Sequence, residues 1–363
     1  MSTGSLQRTP LPAQYRRAVI TGPGSVTLDQ VPLAEPTGRQ VLVRVHASAL
    51  CTWEQRVYTG VDSWSPPLLG GHEFAGVVAA VGDRAITEMS PGDPVAVSDL
   101  TRCGCCTSCR RGYDNLCDNR SKGRKPGTLW GPGGLSEYVL VEDYQVFGID
   151  HSVSLLQAAL AEPVACVLHD LKRHPPRSGA TAVVAGAGFM GMLHIALLRT
   201  SGARVIVSEP DPARRATAIK HGAVVAIDPG QQDYVTAVKN LTGGRGADLT
   251  YVVTGEAHAL EQAVLGAAKR GVVSAFATIW PRDTPVHIDA NDLHHREITL
   301  SGSYAQDRED FLDAVALVAT GDLGLSELIS EVYPLDQLPE AFQAASRPDT
   351  YRIIVDPRSA ASP

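Results

Sequence analysis

Residues 181–278 alternate short apolar segments with helical ones, and this alternation constrains the fold more than any other feature. Five segments have strand character: TAVVAGAG, ARVIVSE, GAVVAID, ADLTYVVTG and GVVSAFAT. Helical stretches such as FMGMLHIALLRTSG and DPARRATAIKHGA lie between them. Strands that alternate with helices predict a parallel sheet with helices on both faces. This part of the chain is therefore predicted to be α/β, with a doubly wound sheet.

A glycine-rich motif follows the first of these strands. Gly186, Gly188 and Gly191 form G-x-G-x-x-G, and Phe189 and Met190 lie between the last two glycines. A strand before the motif and an apolar helix after it indicate a dinucleotide-binding turn rather than a structural glycine turn. In such a turn the glycines let the backbone approach a pyrophosphate, which the helix N-terminus faces. We predict that a nicotinamide cofactor binds here.

An acidic residue at the end of the next strand bears on the choice of cofactor. Glu209 ends ARVIVSE, eighteen residues after Gly191. A carboxylate there can accept hydrogen bonds from the ribose hydroxyls of NAD and would repel the 2′-phosphate of NADP. Arg214 and Arg215 follow and could weaken that preference, although a solvated helix face is the commoner role. The pattern favours NAD over NADP.

Length and charge limit what else the protein can be. At 363 residues the chain is expected to hold about two domains, and 44% apolar content is ordinary for a globular core. A net charge of −7 argues against binding to nucleic acid or to an anionic membrane. No apolar run is long enough for a membrane span, and the first residues do not resemble a signal peptide. We therefore expect a cytoplasmic protein.

The N-terminal part has a different pattern. Val-rich segments such as GRQVLVRVHAS, FAGVVAAVG and GDPVAVSDL are broken by Gly, Pro and Asp, which predicts a small sheet or barrel. Helical spacing begins near residue 152, and the C-terminal tail returns to mixed α and β character. The dinucleotide-binding domain is thus predicted to be inserted into the other domain, with boundaries at 1–157, 158–297 and 298–363.

Cysteines are concentrated in one short stretch. Cys103, Cys106, Cys109 and Cys117 read C-x2-C-x2-C-x7-C, the ligand set of a tetrahedral zinc ion enclosed by protein. A disulfide cluster is the alternative. It is disfavoured because the chain has seven cysteines, an odd number, and no sign of export. Cys105 lies inside the run and is either a neighbour or a substitute ligand.

Four further residues could form a second metal site. Cys51, His72, Glu73 and Glu162 supply a thiolate, an imidazole and two carboxylates, the mixed ligands of a catalytic zinc with an open position. Each also has a structural interpretation. Cys51 could be a small buried apolar residue, His72 a core histidine and Glu162 a carboxylate at a helix start. Spacing alone does not decide between these interpretations.

With these motifs in order, the chain resembles the zinc-dependent medium-chain dehydrogenases/reductases, the alcohol and polyol dehydrogenase superfamily. The resemblance covers nearly the whole length. It rests on Cys51, GHEFAGVVAAVG, PGDPVAV, the cysteine run, GGLSEYV, AEPVAC and the glycine motif.

The resemblance implies a GroES-like catalytic domain split around a Rossmann domain, with an active site in the cleft and a dimer or tetramer as the assembly. It implies a catalytic zinc on Cys51, His72 and Glu162, with Glu73 as a fourth ligand or a nearby carboxylate that exchanges with water. The four-cysteine zinc would be structural. Thr254 and the backbone of residues 276–279 would lie beside the nicotinamide. Glu162 in place of a cysteine is similar to the sorbitol, threonine and sugar-phosphate dehydrogenases.

The residues after Cys51 depart from the family pattern. Relatives usually carry Ser or Thr two residues later and often a histidine five later, whereas this chain has Trp53 and Arg56. Indole only donates hydrogen bonds and guanidinium stays protonated, so neither can relay a proton. Thr52 or a chain of waters is the alternative route. Glu54 is expected to orient the histidine ligand or to pair with an arginine.

Arg56 has two open roles. It could face an anionic substrate group, since its fork suits carboxylate or phosphate, or it could contact the cofactor pyrophosphate or a neighbouring acid. Lys122, Arg124 and Lys125 form a basic loop that could also touch an anionic substrate, although a solvated loop is the plainer interpretation.

The sequence leaves three functions open. The leading hypothesis is a zinc dehydrogenase that transfers hydride between NAD(H) and a hydroxyl or carbonyl of a polyol, cyclitol, amino alcohol or sugar derivative. The second is a zinc and NAD enzyme that uses transient oxidation for epimerisation or elimination. The third is a non-catalytic NAD-binding scaffold, which the full set of metal ligands argues against.

Overall fold

A computed structural model describes residues 10–62, 67–120 and 129–359. The described residues form two compact units. One runs to Glu162 and resumes at Asp307, and the other is Pro163–Gln306. Among the described residues, no helix combines the length and the apolarity needed to cross a bilayer.

Strands prevail in the N-terminal part of the described chain, and strands alternate with helices after residue 180. The strands are β1 (Gln14–Gly22), β2 (Ser25–Pro32), β3 (Gln40–Ala49), β4 (Glu73–Val81), β5 (Pro94–Ser98), β6 (Tyr138–Glu142), β7 (Val146–Gly148), β8 (Thr181–Ala185), β9 (Arg204–Ser208), β10 (Val225–Ile227), β11 (Ala247–Val252), β12 (Ala267–Ala275), β13 (Thr299–Gly302), β14 (Ile329–Pro334) and β15 (Arg352–Asp356). The α-helices are α1 (Thr52–Thr59), α2 (Thr107–Arg110), α3 (Leu155–Ala158), α4 (Ala161–Arg173), α5 (Phe189–Thr200), α6 (Pro212–Lys220), α7 (Tyr234–Leu241), α8 (Ala257–Gly266), α9 (Ala290–Arg296), α10 (Arg308–Thr320), α11 (Leu325–Leu328) and α12 (Leu338–Ala345).

The first unit is built on a seven-stranded mixed sheet. Its order is β14-β15-β3-β4-β5-β7, and β6 pairs with β3 as well. The C-terminal strand β15 pairs antiparallel with the end of β3, at Ser48 and Ala49. Chain segments from opposite ends of the sequence therefore meet beside residue 50, where the mixed ligand set begins.

Valines fill the interior of this sheet. Val41, Val43 and Val45 on β3 pack with Phe74 and Val78 on β4, and all five are almost fully buried. Alternation with period two places these side chains on one face of the strand. Burial of each such side chain contributes about 1.5–3 kcal/mol. The resulting core fixes the end of β3 and the start of β4, beside which the candidate ligands Cys51, His72 and Glu73 lie.

The second unit contains a six-stranded sheet in which every pair is parallel, in the order β10-β9-β8-β11-β12-β13. The first strand of the unit, β8, is central, and the order reverses between β8 and β11. This is the Rossmann arrangement, which binds ligands outside the carboxyl ends of the strands at that reversal. The predicted α/β class, with a β-rich unit and a doubly wound unit, is confirmed.

The far edge of the parallel sheet lies beyond the sequence boundary expected at residue 297. Strand β13 pairs in parallel with β12, from Val272 opposite Thr299 to Ala275 opposite Gly302. The second unit consequently continues to Gln306. The sequence assigns most of REITLSGSY to the C-terminal part of the other domain, since the strand that pairs with it, β12, lies more than twenty residues earlier in the chain.

Candidate metal centres and cofactor site

The cysteine lobe brings four sulfur atoms together. One ligand atom each from Cys103, Cys106, Cys109 and Cys117 lies within 4.8 Å of all the others. The sulfurs of Cys103 and Cys109 are 4.0 Å apart, close to the about 3.8 Å between two thiolates on one tetrahedral zinc and far beyond a disulfide bond. None of the seven cysteines, all of which lie in the described part of the chain, forms a disulfide bond.

Backbone amides point at these sulfurs. The N–H groups of Cys103 and Asn119 donate to the sulfur of Cys117, and that of Cys106 donates to the sulfur of Cys103. The side-chain amide of Asn119 also donates to Cys103, at 3.1 Å. Hydrogen bonds to its sulfur lower the pKa of Cys103 to about 5, and the largest contribution comes from the backbone N–H of Cys105. Donors of this kind favour thiolates, which is the form that binds zinc.

A buried carboxylate ties the lobe to the rest of its unit. Asp114 is fully buried and accepts two hydrogen bonds from Arg308 at the start of α10, at 2.7 and 3.0 Å. Arg102 lies 3.5 Å from the same carboxylate, with its guanidinium over the ring of Tyr144. The lobe is thus held by charge from outside its own loop.

The mixed ligand set comes from three elements, α1, β4 and α4, and all of its residues belong to the first unit. Cys51 is the N-cap residue of α1, two residues after the end of β3, while Glu73 is the first residue of β4 and His72 precedes it. Glu162 lies in the first turn of α4, and Glu54 is on α1. Two groups form: Cys51 with Glu54 and His72, and His72 with Glu73 and Glu162, each with its ligand atoms within 4.8 Å. His72 belongs to both.

Glu54 fixes the orientation of the histidine. Its Oε1 lies 2.6 Å from Nδ1 of His72 and also accepts from the N–H of Gly71 at 3.0 Å. With Nδ1–H donated to Glu54, the lone pair of His72 is on Nε2, the atom nearer Glu73 at 4.0 Å. A carboxylate behind an imidazole is the arrangement that orients metal-binding histidines and makes them more basic. Of the two roles expected for Glu54, the structure shows the one toward histidine.

Charges around the cluster favour a cation. Although burial disfavours ionised Glu54, the charge of His72 and its hydrogen bond hold the pKa of Glu54 below its usual value. Burial also opposes protonated His72, yet Glu54 and Cys51 raise the pKa of His72 well above its ordinary value. The same negative surroundings that retain a proton on the imidazole would stabilise a metal cation at Nε2.

Arg352 completes the cluster and could not be recognised in the sequence. Its Nη2 lies 3.1 Å from Oε1 of Glu73, and its Nη1 donates to the carbonyl of Leu50 at 2.9 Å. Burial raises the pKa of Glu73, and the guanidinium partly offsets this. Arg352 is the first residue of β15, where it precedes the apolar residues of the strand. A charged residue beside an apolar strand is common in sequences, so this position alone does not point to a site.

The donor set fits zinc. Oε2 of Glu73 is buried and makes no hydrogen bond to any residue the structure describes, which leaves a carboxylate oxygen for a metal ion. Thiolate, imidazole and carboxylate are ligands that zinc accepts together in catalytic sites. His72 is shared by the group that contains Cys51 and the group that contains Glu73 and Glu162, so the candidate ligands meet at its imidazole.

The residues at the relay positions lie on α1. Trp53 packs edge-to-face against His72, with the ring centres 5.6 Å apart, and contacts the apolar cluster of its unit. Thr52 is exposed at the first position of the helix, and Arg56 is half-buried in its last turn. Trp53 therefore covers His72 with a ring that has no exchangeable hydroxyl. The basic loop of Lys122, Arg124 and Lys125 lies outside the described residues.

The glycine loop has the backbone geometry of a dinucleotide turn. Gly186 has a φ of +110°, and a Cβ on Gly191 would collide with the carbonyl oxygen of Gly186. Gly188 is the N-cap residue of α5, followed by Phe189 and Met190 as its first residues, and no side chain caps the helix. The Cβ of Thr254 lies 3.6 Å from the Cβ position of Gly186, so Thr254 lies at the reversal of strand order.

Glu209 is held against this loop. Its Oε2 accepts from the N–H of Ala187 at 2.7 Å and its Oε1 from the N–H of Asp211 at 2.9 Å. Arg215 pairs with Asp228 at 2.9 Å and donates to the carbonyl of Glu209. The carboxylate is thereby fixed at the end of β9, and each oxygen keeps acceptor capacity for a further donor.

Two family models match the chain. The alcohol dehydrogenase GroES-like domain matches residues 37–151, and the zinc-binding dehydrogenase model matches residues 190–320. The 2-dehydro-3-deoxy-L-galactonate 5-dehydrogenase of Pseudoalteromonas atlantica is 31% identical over 309 residues, which cover 85% of this chain and 88% of the relative. The chain belongs to the zinc-binding medium-chain dehydrogenase/reductase family.

Other relatives in this family span nearly the whole chain. Sorbitol dehydrogenase of Bacillus subtilis is 28% identical, with 92% of this chain and 94% of the relative covered. A zinc-binding dehydrogenase of Sinorhizobium meliloti 1021, solved with NADP, superposes with a TM-score of 0.87 at 29% identity, covering 95% of this chain and 100% of that one.

Membership in this family confirms the predicted resemblance and the class of enzyme. The protein is a zinc-dependent, NAD(P)-linked medium-chain dehydrogenase that acts on alcohols or polyols.

Proposed function

We propose that this dehydrogenase oxidises a secondary hydroxyl of a polyol, cyclitol, amino alcohol or sugar derivative, or reduces the matching carbonyl, with NAD(H). The observation that carries the proposal is the His72–Glu54 pair at 2.6 Å, beside the thiol of Cys51 and the carboxylates of Glu73 and Glu162. A structural zinc site has no need of a mixed, adjustable donor set, whereas a catalytic one leaves a position open for substrate.

Each residue of the cluster has a distinct task in this proposal. Cys51, His72 and Glu162 would hold the ion, Glu54 keeps Nε2 of His72 available, and Glu73, paired with Arg352, would supply a further carboxylate. Zinc held there supplies Lewis acidity, which lowers the pKa of a substrate hydroxyl or polarises a carbonyl.

The proton route avoids Trp53. The indole covers His72 and cannot accept a proton, so we assign the exit of the substrate proton to Thr52, which is exposed one residue from Cys51, together with water. A Thr52→Val variant is expected to lower kcat more at low pH than at high pH, where hydroxide in solution can substitute for the relay.

Glu209 supports NAD as the cofactor. The carboxylate is fixed by the amides of Ala187 and Asp211 and is poised to accept from ribose hydroxyls. Arg214 is the feature that could favour NADP, because its Nη1 lies 3.8 Å from the Cβ position of Gly188.

Replacement of Glu209 by Ala is expected to reduce kcat/KM with NAD relative to NADP by about tenfold or more. An unchanged ratio would remove the ribose role.

A substrate panel tests the proposed chemistry. Polyols, cyclitols, amino alcohols and phosphorylated sugars are offered with NAD, and growth of the reduced-nicotinamide absorbance is recorded.

Arg56→Leu is compared with wild type on a neutral polyol and on its phosphate ester. If Arg56 contacts an anionic group, kcat/KM for the ester alone falls by about 10- to 100-fold, the range of a charge-assisted hydrogen bond. Equal loss on both substrates assigns Arg56 to the cofactor or to the fold.

A second function is favoured by one observation, the replacement of the relay hydroxyl by Trp53. A site with a hindered proton exit suits a reaction in which the substrate is oxidised transiently and then reduced again, as in epimerisation. Turnover of substrate without net growth of the reduced-nicotinamide band would identify this reaction.

A further inference from the structure

We propose that Cys105 and Cys103 form a peroxide-sensitive thiol pair at the edge of the cysteine lobe, a modification site that shares one residue, Cys103, with the four-cysteine zinc site. The inference rests on the four-thiolate zinc assignment and not on the proposed substrate class. It concerns the fifth cysteine of the run, for which the lobe has no evident structural need.

The two sulfurs are already close. The sulfur of Cys105 lies 3.6 Å from that of Cys103, nearer than the 4.0 Å between Cys103 and its fellow ligand Cys109. Gly104 lies between them with a φ of +68°, a left-handed turn that folds the neighbouring thiols toward the same side. The pair needs little backbone movement to react.

Cys105 is placed as the outer member of this pair. Cys103 and Cys105 are both exposed, whereas Cys109 and Cys117 are buried, and Cys105 alone of the pair lies outside the group of four whose sulfurs are all within 4.8 Å of one another. An oxidant from solvent therefore reaches this pair before the buried ligands, and Cys105 is the member that a zinc ion in the lobe does not occupy. Cys103 is the ligand next to it, so the first oxidation product has a thiolate neighbour.

The chemistry is a two-step oxidation by hydrogen peroxide. The thiol of Cys105, which donates to the sulfur of Cys103, first gives its proton to water. Its thiolate then attacks one peroxide oxygen and becomes a sulfenic acid, and the O–O bond breaks to release hydroxide, which is protonated to water. The thiolate of Cys103 then attacks the sulfenic sulfur, forms the S–S bond and expels hydroxide, which takes up a proton. In total, two thiols lose two electrons and two protons, and peroxide is reduced to two waters.

The consequence is loss of one ligand from the lobe. Three thiolates remain, and zinc held by them contributes less folding free energy than zinc held by four. A disulfide across a single glycine closes a short ring that departs from relaxed geometry, and such disulfides are readily reduced. Added thiol is therefore expected to reverse the modification and let the lobe rebind zinc.

The test uses the full-length, zinc-loaded enzyme treated with hydrogen peroxide. Wild type, Cys105→Ser and Cys166→Ser are compared, the last as a control that removes a cysteine outside both metal sites. Zinc release is followed with a chromogenic chelator. Differential alkylation and fragmentation of the tryptic peptide 103–110 then locate any disulfide, since this peptide contains Cys103, Cys105, Cys106 and Cys109.

Wild type and Cys166→Ser are expected to form the 103–105 disulfide and to release about one zinc per chain, with recovery after dithiothreitol and added zinc. Cys105→Ser is expected to carry the same zinc at the start and to release it at least about fivefold more slowly. Equal release rates, or a disulfide mapped to another pair, would overturn the proposal. Loss of lobe zinc from untreated Cys105→Ser would also overturn it, because Cys105 would then be a resident ligand.

Discussion

The cysteine lobe and the cluster around His72 both suit a metal cation, but the chain assembles them in opposite ways. The lobe takes four identical ligands from residues 103–117, within one loop and one short helix. The cluster takes unlike ligands from residues 51–162, on β4, α4 and the start of α1. Local, identical donors enclose an ion, whereas donors from several rigid elements hold it with a position open.

Each region also contains a buried carboxylate outside its candidate ligand set, and the two carboxylates have different hydrogen-bond partners. Glu54 accepts from the ring of a metal ligand, His72. Asp114 accepts from Arg308, a residue of a neighbouring helix that is no ligand at all. We therefore expect substitutions in the cluster to lower turnover and substitutions in the lobe to lower stability. Single substitutions in each region test this difference.

The largest effect is expected from loss of a ligand in the cluster. Cys51→Ala should reduce kcat/KM by about 1,000-fold or more, since Lewis acidity contributes several kcal/mol to the transition state. The melting temperature should stay near wild type, because the Cys51 side chain makes no capping hydrogen bond to α1. Steady-state kinetics, zinc analysis and a thermal melt measure these quantities. Retained activity would contradict the assignment of the catalytic zinc.

Loss of a ligand in the lobe should have the reverse profile. Cys109 is 5% exposed, and Cys109→Ala leaves three thiolates, so the lobe is expected to lose its zinc. We expect a melting temperature lower by roughly 5–10 °C and zinc content lower by about one ion per chain, with kcat of the folded fraction retained. Full stability with both ions present would show that Cys109 is not a ligand.

The same contrast explains what the sequence could reveal. The lobe was predictable because its ligands are identical and adjacent in sequence, so spacing alone encodes them. The glycine loop was predictable because the strand before it and the helix after it are local as well. Both predictions depend on neighbours along the chain, not on tertiary contacts.

The cluster was only partly predictable because its geometry depends on strand pairing. Cys51 and His72 could be singled out by residue type, but sequence left Glu54 with two possible partners, and the fold decides between them. Arg352 could not be found at all, since only the pairing of β15 with β3 brings it to Glu73. Likewise β13 needed its partner strand before it could be assigned to the parallel sheet.

A smaller effect is expected from the carboxylate behind His72. Glu54→Gln removes the charge that orients and polarises the imidazole but keeps the size of the side chain. Loss of such a partner typically costs 10- to 100-fold in metal affinity or activity. We therefore expect chelator competition to show weaker binding of the catalytic zinc, and kcat/KM to fall in the same range.

Glu54→Asp serves as the matched variant for this prediction, because it keeps the charge and shortens the reach. It should retain more activity than Glu54→Gln if charge is what matters. If the glutamine variant keeps wild-type zinc affinity, the hydrogen bond to His72 has no influence on the metal.

The smallest effect is expected from the carboxylate behind the lobe. Asp114→Asn weakens two hydrogen bonds from Arg308, whose side chain is 51% exposed, so solvent already screens the pair. We expect a loss of about 1–2 kcal/mol, seen as a melting temperature lower by about 2–6 °C, and kcat/KM within about twofold of wild type. Arg308→Gln should cost the same or less, because Arg102 still lies beside the Asp114 carboxylate in that variant. A tenfold fall in kcat/KM for Asp114→Asn, with both zinc ions retained, would break the comparison, because a contact of the lobe would then govern turnover.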